Sequence, residues 1–264
     1  MRLKITHLTE YRYDAPLRYA LQRLRLTPYS GGAQTVLSWS LAIEGAREEV
    51  RFVDQFANET VLVSAEGDPR MISVRASGEV ETTDTAGVTG PHRGFAPHWL
   101  FLHRTALTEP GEGIAALAGS IGEGSDLDRL HRLMAAVAEK VAYQSGTTDA
   151  ATPAEEALAR GSGVCQDHTH IFIAAARAMN FPARYISGYL YMEETNDQVA
   201  GHAWAEAHVE GLGWVGFDPA NTMSPDERYV RLATGRDYRD ARPVSGIRLG
   251  QAEEQLAVSV TVEQ

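Results

Sequence analysis

The stretch Gly161-Ser162-Gly163-Val164-Cys165-Gln166-Asp167-His168, continuing to Asn180, decides how the chain is read. It holds the one cysteine among 264 residues. Two glycines lead into that cysteine, and an alanine-rich apolar run follows it. The pattern predicts a thiol at the first turn of a buried helix, where unpaired backbone N–H groups and the helix dipole favour the thiolate. The helix should end near Asn180-Phe181-Pro182, because Asn tolerates the left-handed conformation and Pro forbids continuation. Downstream stand Gly201-His202-Ala203-Trp204-Ala205-Glu206 and Trp214-Val215-Gly216-Phe217-Asp218-Pro219. Cys, His and Asp are what a thiol nucleophile, its base and the group orienting that base require.

Working outward, Thr152-Pro153-Ala154-Glu155 reads as a helix start: a cap, Pro at the first helical position, and an acid able to complete a capping box. That short helix should stop at Gly161. Ser125, with Asp128 three residues on, caps another helix, in which Leu127, Leu130, Met134, Val137 and Val141 recur at helical spacing. After the cysteine helix come strands over 184–192, 203–209, 214–217, 229–233 and 256–262, with a polar loop over 193–198. Ala203, Ala205, Ala207 and Val209 share one face.

The first third alternates as strands do. Leu3, Ile5, His7, Thr9, Tyr11 and Tyr13 lie on one face; Leu24 and Leu26 resume the pattern after Pro16. Leu37, Trp39, Leu41 and Ile43 form another face, 51–63 a hairpin turning at 55–59, and Ile72, Val74 and Ala76 a further strand. Short strands between turn residues indicate a β-sandwich or barrel-like domain, the sandwich being the expectation. Residues 82–113, rich in Thr, Gly and Pro, read as a connection packed through Phe95, Trp99, Leu100 and Phe101. The expectation is an α+β chain: a β-rich N-terminal domain with its connection over 1–110, then a catalytic core over 111–264.

Composition narrows the function. With 44% hydrophobic and 22% charged residues, the chain has the make-up of a soluble globular protein. Its net charge of −11 disfavours general binding to nucleic acid or anionic membranes. A lone cysteine forms no internal disulfide, the start does not resemble a signal peptide, and the apolar run 171–176 is broken by Arg177; a cytoplasmic location is expected.

His202 would form an imidazolium beside the thiolate and return its proton to the leaving amine. Asp218 would accept from the other ring nitrogen and fix the tautomer. The backbone N–H of Cys165 would be one oxyanion donor, and Tyr143 or Gln144 the second. Each residue alone has a plainer reading: a small buried thiol, a strand histidine, a turn aspartate before Pro219. A binding module that keeps the fold without turnover is the rival from another class, and the three residues together argue against it. Metal sites are disfavoured. His168 and His170 fall about 200° apart on a helix, and His92, His98 and His103 lack ligand spacing, so no metal or cofactor is expected. Asp167 either favours the helix N-terminus or, facing the sulfur, opposes its ionisation. On a regular strand His202 points with Trp204 and Glu206, away from the alanine row that suits the cysteine helix; a strand start or bend near Gly201 would be needed.

The motifs around Cys165, Phe181-Pro182-Ala183-Arg184-Tyr185-Ile186-Ser187-Gly188-Tyr189-Leu190, His202-Ala203-Trp204-Ala205-Glu206 and Gly213-Trp214-Val215-Gly216-Phe217-Asp218-Pro219 resemble the bacterial transglutaminase-like superfamily. So do Gly235-Arg236-Asp237-Tyr238-Arg239-Asp240 and Pro243-Val244-Ser245-Gly246, while Ile5-Thr6-His7 and Tyr11-Arg12-Tyr13 resemble the β-rich domain ahead of that core. One departure is Ala220 before Asn221, where the family often has Thr. The resemblance implies a papain-like fold and a triad of Cys165, His202 and Asp218. It implies an enzyme acting on a peptide or protein amide through a thioester, with water as acceptor (a peptidase or amidase) or an amine (a transglutaminase). Hydrolysis is the favoured expectation.

Overall fold

A computed structural model of the chain describes residues 1–193, 197, 198 and 200–264, with the side chains of 197 and 198 left aside; part of the expected loop over 193–198 lies outside the described residues. The alternating first third folds into two antiparallel sheets. One runs Asp197–Gln198, Glu254–Glu263, Arg2–Tyr13, Met71–Thr82 and Gln34–Glu44 in spatial order. The other runs Val244–Leu249, Tyr19–Thr27, Glu59–Ala65 and Ala46–Val53. Their inward residues meet in one apolar core: Leu3, Ile5, Val74 and Val80 from the first, Leu24, Leu26, Val61 and Val63 from the second. Each such side chain, fully buried, contributes about 1.5–3 kcal/mol. The hairpin closes with Val53 opposite Glu59, as its turn residues suggested. Leu37 departs from the expected face. A bulge between Val36 and Ser38 shifts the register there, leaving Leu37 45% exposed while Val36 and Trp39 pack inward.

The third sheet is also antiparallel: Tyr229–Gly235, Ala183–Leu190, His202–Val209, Gly213–Phe217 and Val88–Gly90. Against it lies the Cys165–Ala178 helix, buried on every side from Asp167 to Arg177. The alanine row behaves as read. Ala203, Ala205, Ala207 and Val209 share a core with Ile171, Phe172 and Ala175 of that helix. Small side chains on both elements let backbone approach backbone. Around the helix stand Glu112–Ser120, Asp126–Lys140 and Ala154–Arg160. Ser125 caps the second of these, accepting from the Asp128 N–H at 3.2 Å.

The first of those helices was not legible, and its capping corrects the reading of Glu155. Pro153 itself is the N-cap of Ala154–Arg160. The Glu155 carboxylate instead accepts from the N–H groups of Gly111, Gly113 and Ile114 at 2.9, 2.7 and 3.0 Å, satisfying the start of Glu112–Ser120. An acid at a helix N-terminus gains from the dipole as well as from the hydrogen bonds.

The division at residue 110 does not follow the sheets. Residues 256–262, read as a strand of the second unit, pair with Arg2–Tyr13, with Val262 opposite Ile5 and Leu256 opposite Tyr11. Val244–Leu249 pairs with Tyr19–Thr27. In the other direction, Val88–Gly90 from the connection joins the edge of the third sheet. Of the connection's aromatics, Phe101 is buried against Trp214 and Phe56, whereas Phe95 and Trp99 are exposed.

The two units also share hydrogen bonds. The Gln34 amide donates to the Arg231 carbonyl and accepts from its N–H, at 2.9 and 2.7 Å. The Asn58 amide does the same for Thr234, at 2.8 Å each way. Two side-chain amides thus complete the outer edge of Tyr229–Gly235, which would otherwise expose unpaired backbone groups. Among the described residues no helix is long and apolar enough to cross a membrane.

Candidate functional site

Cys165 occupies the first helical position, with Val164 extended before it. Val164 has no side-chain acceptor, so Asp167 supplies the cap. Its carboxylate accepts from the Val164 N–H at 2.8 Å and from the Thr148 hydroxyl at 2.6 Å. That settles the two readings of Asp167 in favour of the helix terminus. A Cβ at position 163 would stand 2.6 Å from this carboxylate, so only glycine fits there. A short parallel ladder holds the approach: Ala142 pairs with Ser162 and Tyr143 with Gly163. It brings the Tyr143 hydroxyl against the Cys165 backbone. The Gln144 N–H, in contrast, is spent on the Gly163 carbonyl at 2.8 Å.

His202 is the first residue of its strand, opposite Gly188. Its ring does lie on the Trp204 face, 6.2 Å from that indole and 5.9 Å from Tyr229. From that face the ring meets Asp218, because of where the neighbouring strand stops. Gly213–Phe217 pairs with His202–Val209 only as far as Phe217 opposite Ala205. Asp218 therefore turns into the space beside His202, and its carboxylate meets Nε2 at 2.6 Å. Nδ1 is the ring nitrogen left to face Cys165, whose thiol helps to raise the imidazole. No reversal of strand parity is needed. Gly188 makes room for the packing, since a Cβ there would come within 2.5 Å of the Trp204 ring.

Asp218 is fully buried yet heavily solvated by protein. Besides His202, it accepts from the Tyr229 hydroxyl at 2.8 Å, the Asn221 amide at 2.7 Å, and the N–H groups of Ala220 and Asn221 at 3.0 and 3.2 Å. Burial favours its neutral form, but these donors and the imidazolium win and hold the carboxyl below its ordinary range. Burial likewise opposes the charge on His202; the bonds to Asp218 and Cys165 overcome it and raise the imidazole to about 10. Tyr229 and Asn221 went unmarked in the sequence. Asn221 was findable, because an Asp followed two and three residues on by N–H donors is a turn signature. Tyr229 was not, since its approach depends on the sheet.

The remaining candidates fall elsewhere. Both nitrogens of His168 face backbone carbonyls, of Val164 and Val141, at 2.9 Å. Nε2 of His170 accepts from the Tyr238 N–H at 3.1 Å, and burial lowers that imidazole to about 3. His92 and His98 gather with His208 around Trp214, while His103 packs on Trp99.

Cys165 and His202 open onto a cavity of about 260 Å³ whose far wall comes from the β-rich unit, through His7, Thr9, Tyr11, Leu256 and Val258. Tyr185, Tyr189 and Tyr238 line it as well. His7 is buried, with Nδ1 2.9 Å from the Tyr189 hydroxyl and Nε2 3.1 Å from that of Thr9; burial lowers it to about 4.

With this geometry in place, comparison with known proteins is informative. Residues 115–219 match the family model described as transglutaminase-like superfamily, and residues 3–81 that described as bacterial transglutaminase-like N-terminal region. An uncharacterized protein of Mycobacterium leprae is 30% identical over 99% of this chain and 98% of its own. One of Mycobacterium tuberculosis (strain H37Rv) is 28% identical over 99% and 92%. A solved structure from Cytophaga hutchinsonii, named as a candidate cysteine protease, superposes with a TM-score of 0.78 over 100% of this chain and 91% of that one, at 23% identity; the likeness is one of fold.

Proposed function

This chain belongs to the transglutaminase-like superfamily, and from that premise we propose that it is a thiol-dependent amide hydrolase acting through Cys165, His202 and Asp218. The architecture is then a papain-like α+β core carried on a β-sandwich-like unit. One observation carries the reading: a single imidazole is clasped between a buried, five-donor carboxylate and the chain's one thiol, at the mouth of a cavity.

An imidazolium beside sulfur favours the thiolate. Sγ of Cys165 attacks the amide carbon, forming a C–S bond as the carbonyl pair moves onto oxygen. The Cys165 N–H, with the Tyr143 hydroxyl as second donor, stabilises that oxyanion. Collapse restores the carbonyl and breaks C–N, while Nδ1 of His202 gives its proton to the departing amine. Water then attacks the thioester, with His202 as base, releasing the acid and the thiol. Asp218 holds the ring through Nε2 throughout. An amine in place of water would make the same enzyme a transglutaminase. Water is favoured because Cys165 is only half-buried and Tyr143 beside it is exposed, which gives little shielding for the thioester.

The test is intact-mass detection of an acyl-enzyme with peptide amides and glutamine-containing peptides, with and without a primary amine. Thioester formation followed by acid product supports hydrolysis; amine-bearing product identifies transfer. No adduct in wild type, with slow iodoacetamide labelling of Cys165, would leave a binding module that keeps the fold.

A further inference from the structure

The cavity behind the thiol is built from two units, and its chemistry is uneven. At one end stand Cys165 and His202, which can react. At the other, the register of two adjacent strands places His7, Thr9 and Tyr11 opposite Val260, Val258 and Leu256, a continuous face of one sheet. No Asp, Glu, Lys or Arg is found among the described residues lining the cavity. Its volume, about 260 Å³, falls just under the range of roughly 300–1,000 Å³ that buries a drug-sized ligand. It therefore takes one side chain or small acyl group, not a length of peptide. Leu256 stands 55% exposed at the rim, a large apolar side chain left uncovered on the β-rich wall.

We propose that this cavity is the specificity pocket of the enzyme, receiving an uncharged, apolar or aromatic side chain that adjoins the scissile amide, with the β-rich unit supplying the wall that selects it. The inference rests on the hydrolase reading for the position of the amide. Away from the His202–Cys165 pair at the reactive end, an ionised side chain would find no counter-charge among the described residues and would lose its water. His7 does not provide one: buried between two hydroxyls, it stays neutral at physiological pH. An apolar group would instead cover Leu256 and Val258 and lie against Tyr185 and Tyr189, gaining buried apolar area. This gives the β-rich unit a role in selection and explains why its last strand returns to a site whose reactive groups are all on other elements.

Selection is read on the thiol itself, so the test does not depend on turnover. Cys165 is labelled with a matched series of chloroacetamides bearing benzyl, isobutyl, carboxyethyl or aminobutyl groups. Each rate is normalised to that of iodoacetamide, which needs no pocket. The expected result is benzyl and isobutyl reagents ahead of both charged ones by roughly 10-fold or more, the scale of discrimination an apolar pocket provides. Leu256→Lys and Val258→Lys should collapse that preference and bring the carboxyethyl reagent forward, with unchanged thermal unfolding showing that the fold survives. Fast iodoacetamide labelling with a flat series would overturn the pocket while leaving the reactive thiol standing. Slow iodoacetamide labelling with the preference intact would do the reverse, and slow, flat labelling would overturn both.

Discussion

Two histidines line one cavity, and the walls they belong to treat the same imidazole in opposite ways. His202 sits between a carboxylate and a thiol and is raised to about 10; His7 sits between two hydroxyls and is lowered to about 4. His7 is buried and the His202 side chain is only 11% exposed, so burial alone does not set the outcome. The difference lies in the partner: a charged acceptor repays desolvation of an imidazolium, whereas a neutral hydroxyl does not. On the proposed reading, one wall carries the reaction and the other, electrically inert, does the selecting.

Removing each imidazole should break the comparison most sharply. His202→Ala is expected to lower kcat on the order of 10⁴-fold or more, and Asp218→Ala by roughly an order of magnitude less than that, because it removes orientation and not the base. His7→Gln should leave kcat within a few-fold and act through KM for apolar substrates. Steady-state kinetics on one amide decides the ordering; equal losses for His202 and His7 would erase the distinction between the walls.

The pH dependence sharpens it. His202 is raised, so its contribution to stability is complete below about 6.5 and fades as pH climbs through about 10, and activity should fall along the same limb as the proton donor is lost. His7 is lowered, so the unfolded chain takes up a proton that the folded chain refuses until about 4. Stability is then full above about 6.5 and declines by about 3 kcal/mol as pH drops to 4. Across that window the pH dependence of urea unfolding should become shallower in His7→Gln and not in His202→Gln, with His170 keeping a parallel acid loss in both.

Smaller effects test the partners. Tyr229→Phe removes one of five donors to Asp218 and should cost about 1.5–3 kcal/mol, the range for a bond to a charged group, together with a measurable fall in kcat. Thr9→Val takes a neutral partner from His7 and should cost about 1–2 kcal/mol in thermal unfolding with kcat unchanged. If the two substitutions had equal effects on kcat, the inert wall would not be inert.

What was legible in the sequence was local. The cysteine helix, its end at Asn180 (φ 68°), the Ser125 cap and the alanine row are each fixed by residues within a turn or a strand of one another. The three candidate side chains, Cys165, His202 and Asp218, were named from such local contexts, and the structure brings them together. Glu155 was misread because its partners lie 41 to 44 residues away. Leu37 left its face through a bulge that alternation does not announce. His7 looked like one more inward strand residue; its place on the cavity wall follows only from the packing of one unit on the other.

The pairing of Glu254–Glu263 with Arg2–Tyr13 has a consequence for synthesis. The first strand leaves the ribosome with one of its neighbours some 240 residues behind, a delay of roughly 10–50 s at about 5–20 residues per second. Over the last part of that interval, from Asp218 to Glu254, the thiol, histidine and aspartate are already translated, while the wall bearing Leu256 and Val258 does not exist. On the proposed reading, a nascent chain carries its nucleophile before its substrate pocket, and selective cleavage begins only when the last strand docks.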